Sequence, residues 1–338
     1  MSSPIKRLLS IPAEETRVSR RGFHVRDAAV GERLELIGLT FLHGYHAALA
    51  VQGGAGLAQS LRAVDTELQG FAFEGAAMAL TLLDHLIPTN RGRFHRFLHG
   101  EGSPHFYMLH VGAGWALARL PWLRWRVDSF ISTLDPLVRW LALDGYGFHQ
   151  GYFYWPDSVR RQQVPRGVAG YARRAFDQGL GRSLWFVEGA DARQIATAIA
   201  AFPQARQPDL WSGVGLACAY AGSRDAAQLE LLRDAAGPYL AQAAQGAAFA
   251  AKARQRAGNP AQHTNFACEV LCSATAEAAA AVTDSAFQDL PLGGRALAGV
   301  GLQPRLQHPN VEPAYEIWRR RIQEQLILTS HPLGGVSK

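Results

Sequence analysis

The side chains able to do acid–base or metal chemistry gather in the first half of the chain. Five of the twelve histidines, His85, His95, His99, His105 and His110, fall within 26 residues. His95 and His99 have i, i+4 spacing and share one helical face, where neutral imidazoles can hold a transition metal. Arg91, Arg93 and Arg96 lie among them and raise the cost of a cation, so an anion site or a solvated basic face are the competing readings. His105 and His110 flank the apolar Phe106-Tyr107-Met108-Leu109, surroundings that lower an imidazole pKa and suit it to general-base or ligand work. Asp144 and His149 belong to one expected helix, although i, i+5 spacing does not bring them to the same face. Glu74 and Glu188 stand in small, apolar surroundings, in Phe73-Glu74-Gly75-Ala76 and Val187-Glu188-Gly189-Ala190. A buried carboxylate must be paired, hydrogen-bonded or protonated. These two therefore either meet an arginine or a helix N-terminus, or share a metal or a proton with each other.

A last cluster is His263, Cys268 and Cys272. Its spacing is not a standard zinc pattern. It reads as a helix start, with Thr264 or Asn265 as N-cap and two thiols behind it. No E-x-x-H follows either glutamate, and the chain has no Asp-Asp-x-x-Asp, G-x-S-x-G, Walker loop, H-E-x-x-H or C-x-x-C-H.

Helices must position these groups, because alanine and leucine dominate and β-branched runs are scarce. The apolar periodicity predicts helices over 76–86, 115–120, 129–143, 191–202, 225–236, 239–257, 266–282 and 314–328. Pro88, Pro104, Pro156, Pro165, Pro203, Pro208 and Pro260 mark breaks between them, and 285–313 reads as an irregular cover. Gly112-Ala113-Gly114 and Gly213-Val214-Gly215 follow no strand and lack the full nucleotide fingerprint, so they read as points of close helix approach.

The glycines also recur. Gly44, Gly145 and Gly246 are each 101 residues apart, as are Gly112 and Gly213. This suggests an internal duplication with a period of about 101 residues. The expected fold is all-α: one compact, repeat-built helical domain over 23–328, with copies near 40–140, 141–245 and a partial 246–285. An N-terminal arm (1–22) and a tail (329–338) flank it. His110 then corresponds to Trp211, Asp144 to Gln245 and His149 to Ala250, and such departures between copies point to the earlier one as the place for chemistry.

Composition narrows the class. Of 338 residues, 48% are hydrophobic, enough for a packed core and against global disorder. No run approaches the ~18 consecutive apolar residues of a membrane span. Three cysteines exclude a disulfide scaffold and fit a reducing, cytoplasmic setting. Ser19-Arg20-Arg21-Gly22-Phe23 has the core of a twin-arginine signal, but the charges that follow interrupt the apolar stretch that export requires. The net charge of +6 comes almost entirely from arginine, scattered among alanines rather than in a basic stripe, which argues against nucleic acid.

The segments Phe73–Met78, His110–Ala116, Leu134-Asp135-Pro136 through Asp144–His149, Leu210–Ala217 and His263-Thr264 together resemble the DUF1702 family, a domain of unknown function. The resemblance covers roughly residues 20–325. It implies specialised metabolism of the enediyne polyketide type, an apolar, polyene-like substrate and a biosynthetic or membrane protein partner. It carries over no catalytic residue and no cofactor. The leading expectation is an enzyme that modifies or cyclises a long polyene or isoprenoid in a helical cavity. Asp144, His149, Glu74, Glu188 and His110 are the candidate catalytic groups, and Trp115, Tyr146, Phe148, Trp211 and His105 the candidate lining, with Trp185 among the aromatics. A non-catalytic carrier of such a molecule, and a metal-dependent oxidase using His105, His110 and His149, are the alternatives.

Overall fold

The computed structural model describes residues 8–51, 53–87, 89, 91–222, 225–291 and 312–330, and every regular element among them is helical. The long helices are α1 (Ala28–Val51), α2 (Gln69–Leu86), α3 (Phe106–Arg119), α4 (Leu141–Phe153), α5 (Tyr171–Val187), α6 (Gln207–Ala221) and α7 (Leu240–Ala257). They are followed by α8 (Gln262–Cys272), α9 (Ala276–Phe287) and α10 (Ala314–Ser330). Short helices lie in most of the connections between the first seven. Two of these short helices begin at aspartates, Asp191 and Asp225, whose carboxylates accept the first free backbone N–H groups.

From α1 to α7 each long helix packs on its predecessor and its successor. A helix held on both sides must be apolar nearly all round, and every residue of α2 from Gly70 to Leu83 is indeed buried. The helices cross at glycines. A β-carbon on Gly145 would lie 1.9 Å from the Val111 carbonyl oxygen of α3, and one on Gly179 would lie 1.7 Å from the Asp144 oxygen of α4. Gly75, Gly112, Gly213 and Gly246 meet the preceding helix in the same way. From Gly112 onward these glycines follow one another at 33 or 34 residues, so the 101-residue spacing spans three helix-to-helix steps. One close crossing per long helix explains the recurrence physically, whatever the history of the chain.

The row of helices curls until its two ends meet. Arg33 of α1 donates to the Ala221 carbonyl of α6 (3.2 Å), and Arg254 of α7 donates to the Glu67 carbonyl just before α2 (3.1 Å). Helix α10 packs on α7 and α9. The arm at 8–22 is fastened down: the Tyr45 hydroxyl donates to the Leu9 carbonyl (2.7 Å), and Leu9 and Ile11 are buried.

Several expectations are corrected. The helix expected over 129–143 is interrupted, because Asp135 accepts the Leu137 and Val138 amides in a turn before α4 begins. The helix expected over 266–282 is α8 and α9, broken at Ser273 with φ 53°, and α9 is capped by Thr275. Asn265 accepts the Ala276 amide of α9, and Thr264 donates to the Ala219 carbonyl, so neither caps α8. The stretch 285–313 is helical as far as Phe287, and its 292–311 portion lies outside the described residues, as do Pro88 and residues 331–338 of the tail. Helix α1 is the one described helix long and apolar enough by itself to cross a membrane, and half of its most apolar window is buried against its neighbours.

Candidate functional site

The residue just before each crossing glycine occupies the same register in its helix. These residues are Glu74, Val111, Asp144, Gln178, Ser212 and Gln245, all buried. The polar members link across the helices. Gln178 Nε2 donates to Asp144 Oδ2 (2.8 Å), and the Ser212 hydroxyl donates to Gln245 Oε1 (2.9 Å). The row ends on α10, where Arg319 Nε donates to the same Gln245 oxygen (3.1 Å) and its Nη1 pairs with Asp209 (2.7 Å).

Glu74 stands apart, because Val111 separates it from this row. Its bridge is Arg182 of α5, which forms an ion pair with Asp144 and approaches Glu74 Oε1 at 3.9 Å. The Trp115 indole N–H donates to the same Glu74 oxygen at 2.9 Å. Burial pushes the Glu74 pKa up to about 7; Arg182 and the indole hold it down, and Asp144 adds to the rise. Burial opposes the charge of Arg182, but Asp144 and Glu74 outweigh it and its pKa is raised. The result is a carboxyl group poised near neutrality beside a permanent cation.

Glu74, Trp115 and Arg182 are in the wall of a cavity between α1–α6 and the arm. The remaining wall is chiefly aromatic, with Phe41, Phe71, Phe148, Tyr152, Phe186 and Tyr220. Glu15 and Thr16 of the arm also line it. The space between these atoms is about 670 Å³ with the open solvent it includes, but only about 50 Å³ admits the centre of a water-sized atom. It is therefore a thin slot. The Arg182 guanidinium lies 4.9 Å from the centre of the Phe148 ring.

The candidates named from sequence divide. Glu74, Trp115 and Phe148 come together at the slot, with Asp144 behind Arg182. His149 lies behind Trp115, with ring centres 5.5 Å apart, and neither ring nitrogen has a protein partner. Burial, helped by Arg119 and Arg124, drives its pKa down to about 3, so it is neutral at physiological pH. His110 Nδ1 donates to the Phe106 carbonyl (2.8 Å), and burial lowers its pKa to about 4. His105 stacks on Phe73 at 3.9 Å, also lowered to about 4 by burial. Tyr146 packs edge-on against Phe176 and borders a different cleft with Gln150 and Tyr154, while Trp211 and Trp185 are buried outside the slot wall.

Of the two readings of the buried glutamates, Glu74 follows the pairing with an arginine, and the alternative meeting of Glu74 with Glu188 does not occur. Glu188 follows the last turn of α5 and pairs with His24 at 2.7 Å, and the residue of α5 in Glu74's register is Gln178. Nor do His105, His110 and His149 form a ligand set. Among the described residues no group of three or more His, Cys, Asp or Glu side chains is placed to hold a metal ion. Arg182 is a site residue that does not stand out in the sequence as the others do. Its signal was Gly179-Leu180-Gly181, a Gly-x-Gly one helix step after Gly145-Tyr146-Gly147.

The profile of a family described as Protein of unknown function (DUF1702) matches residues 2–326. Neither a curated protein nor a solved structure matches the chain.

Proposed function

The chain belongs to the DUF1702 family, and we propose that it is an enzyme of specialised metabolism that modifies or cyclises a long, apolar, unsaturated chain, a polyene or isoprenoid. The observation that carries this reading is Glu74, a fully buried carboxyl group in the wall of a thin aromatic slot, with a pKa near 7. At neutral pH such a group is populated in both forms, which suits it to give a proton to a carbon–carbon double bond and to take one back. Positive charge developing on the chain would lie against the faces of Trp115, Phe148, Phe41 and Tyr220. Arg182 stabilises the Glu74 carboxylate left once its proton has moved to carbon, and the Trp115 N–H fixes the carboxyl orientation. Asp144 neutralises Arg182 and is a positioning residue. The enediyne-type setting implied by the family resemblance fits such a substrate, as does handover from a biosynthetic or membrane protein. The three free, buried thiols fit a cytoplasmic location.

The test is proton transfer to carbon. The purified protein is incubated in deuterium oxide with two probes, the conjugated tetraene cis-parinaric acid and the isoprenoid geranylgeraniol. Mass spectrometry of the recovered material is expected to show deuterium bonded to carbon for the wild type, and a loss of at least ~100-fold in rate for Glu74→Gln. Binding of either probe without incorporation would replace this reading by that of a non-catalytic carrier. Equal incorporation by Glu74→Gln would remove Glu74 from the chemistry.

A further inference from the structure

A second apolar cavity lies on the far side of Arg182. Its wall includes Met108, Phe249, Ala250, Tyr315 and Trp318 from α3, α7 and α10. It encloses about 460 Å³ between atoms with the solvent it includes, of which about 30 Å³ admits a water-sized centre, so it is as thin as the first. The two cavities share three wall residues: Arg182, Leu216 and Tyr220.

The three differ in how firmly they are held. Arg182 is tied to Asp144. Tyr220 is gripped from two directions, by the Arg254 guanidinium 4.3 Å from its ring centre and by the edge of Phe71 at 5.2 Å. Leu216 has no polar tie. It is also the one residue from Asp209 to Ala221 that is not buried, in a helix otherwise enclosed on all sides. It borders both cavities. An aliphatic side chain between two voids needs little more than a rotamer change to join them.

We infer that the two cavities form one track for a linear hydrocarbon chain, with Leu216 as the partition that sets how long a chain is accepted. This rests on the reading of the first slot as a site for an apolar chain. The end of the chain that passes Leu216 would run alongside Phe249 and Trp318, whose rings pack on each other with centres 4.6 Å apart, under α10, while the part to be altered stays beside Glu74. Leu216 is thus a specificity-determining residue and not a catalytic one.

The experiment measures displacement of cis-parinaric acid fluorescence by 1-decanol and 1-hexadecanol, two uncharged chains that differ only in length. Leu216→Ala is expected to raise the affinity for hexadecanol relative to decanol by ~10-fold, the effect of about two further buried methylenes. Adding Ala250→Phe, which fills the second cavity, is expected to return the ratio to that of the wild type. Retained decanol binding reports that each variant is folded. An unchanged ratio in Leu216→Ala, with decanol still bound, overturns the partition and leaves the first slot as the binding site. Failure of the wild type to bind either alcohol or the polyene removes both readings together.

Discussion

Glu74 owes its character to what surrounds it more than to what it touches. A single indole N–H and a guanidinium 3.9 Å away do not replace the hydration a carboxylate loses on burial. Its folded pKa of about 7 lies above the 4.5 of an ordinary glutamate, so between those values the folded state holds a proton that the unfolded chain has released. Stability attributable to this group is then full below about pH 4.5, falls as pH rises toward 7, and is constant above it. Glu74→Gln keeps the shape and removes the titration. The variant is expected to match the wild type near pH 4 and to exceed it at pH 8, by an amount on the order of 3 kcal/mol. Urea unfolding at the two pH values measures this, and a stability difference independent of pH would contradict it. At this scale the sequence was partly readable. Glu74, Trp115 and Phe148 stood out as a charge and aromatics in small, apolar surroundings, and they line the slot. The histidines stood out for the same reason, yet His105, His110 and His149 are packed as neutral rings. Composition cannot separate a polar group facing a void from one facing a neighbour.

Between helices, glycine decides how near two backbones come. At Gly145 the α3 carbonyl of Val111 occupies the place of a β-carbon, and both partners are backbone, so no side chain can turn aside. Gly145→Ala is expected to cost about 3 kcal/mol or more, at or beyond the upper end of ordinary overpacking. Gly56, in the short helix Ala55–Arg62, is exposed and meets only a methyl of Val51 at 3.8 Å. Gly56→Ala is expected to stabilise by roughly 0.5–1 kcal/mol, since alanine has less backbone freedom to lose. Opposite signs in thermal unfolding are the outcome expected, and a neutral Gly145→Ala would contradict the close crossing. The Gly-x-Gly segments are legible in the sequence as approach points, but the step of 33 or 34 residues is hidden, because Gly179, which completes it, lies among the arginines and polar residues of α5. Helix α5, like α1 and α6, has no counterpart among the expected helices. Its polar first turns and arginines blunt the apolar period, although Ala175 through Val187 are all buried. With α5 went Arg182, and with Arg182 the link between Glu74 and Asp144.

For the molecule as a whole, α10 closes what α1–α7 begin. Tyr315 and Trp318 wall the second cavity, and Arg319, 1% exposed, carries a full charge into the end of the polar row. There it meets Asp209, Glu316 and Gln245, while Arg174 shares both carboxylates from the more exposed side. The apolar period of α10 was plain in the sequence, but its docking place was not. The contacts that decide it come from α5, α6 and α7, up to 145 positions away along the chain. A buried ion pair broken on one side costs about 3–5 kcal/mol, because the remaining charge stays out of water. Arg319→Met is therefore expected to release α10, and hydrogen exchange should show its amides losing protection well before those of α2 and α3. Arg320 pairs with Glu312 in the open, at 2.7 Å with both side chains largely exposed. Arg320→Ala should change stability by less than about 1 kcal/mol. Equal loss of protection throughout the Arg319→Met protein would mean that α10 is part of one cooperative unit with the helical row. Loss confined to α10 would make it a separable closure over the far end of the track, through which a chain longer than the first slot could enter.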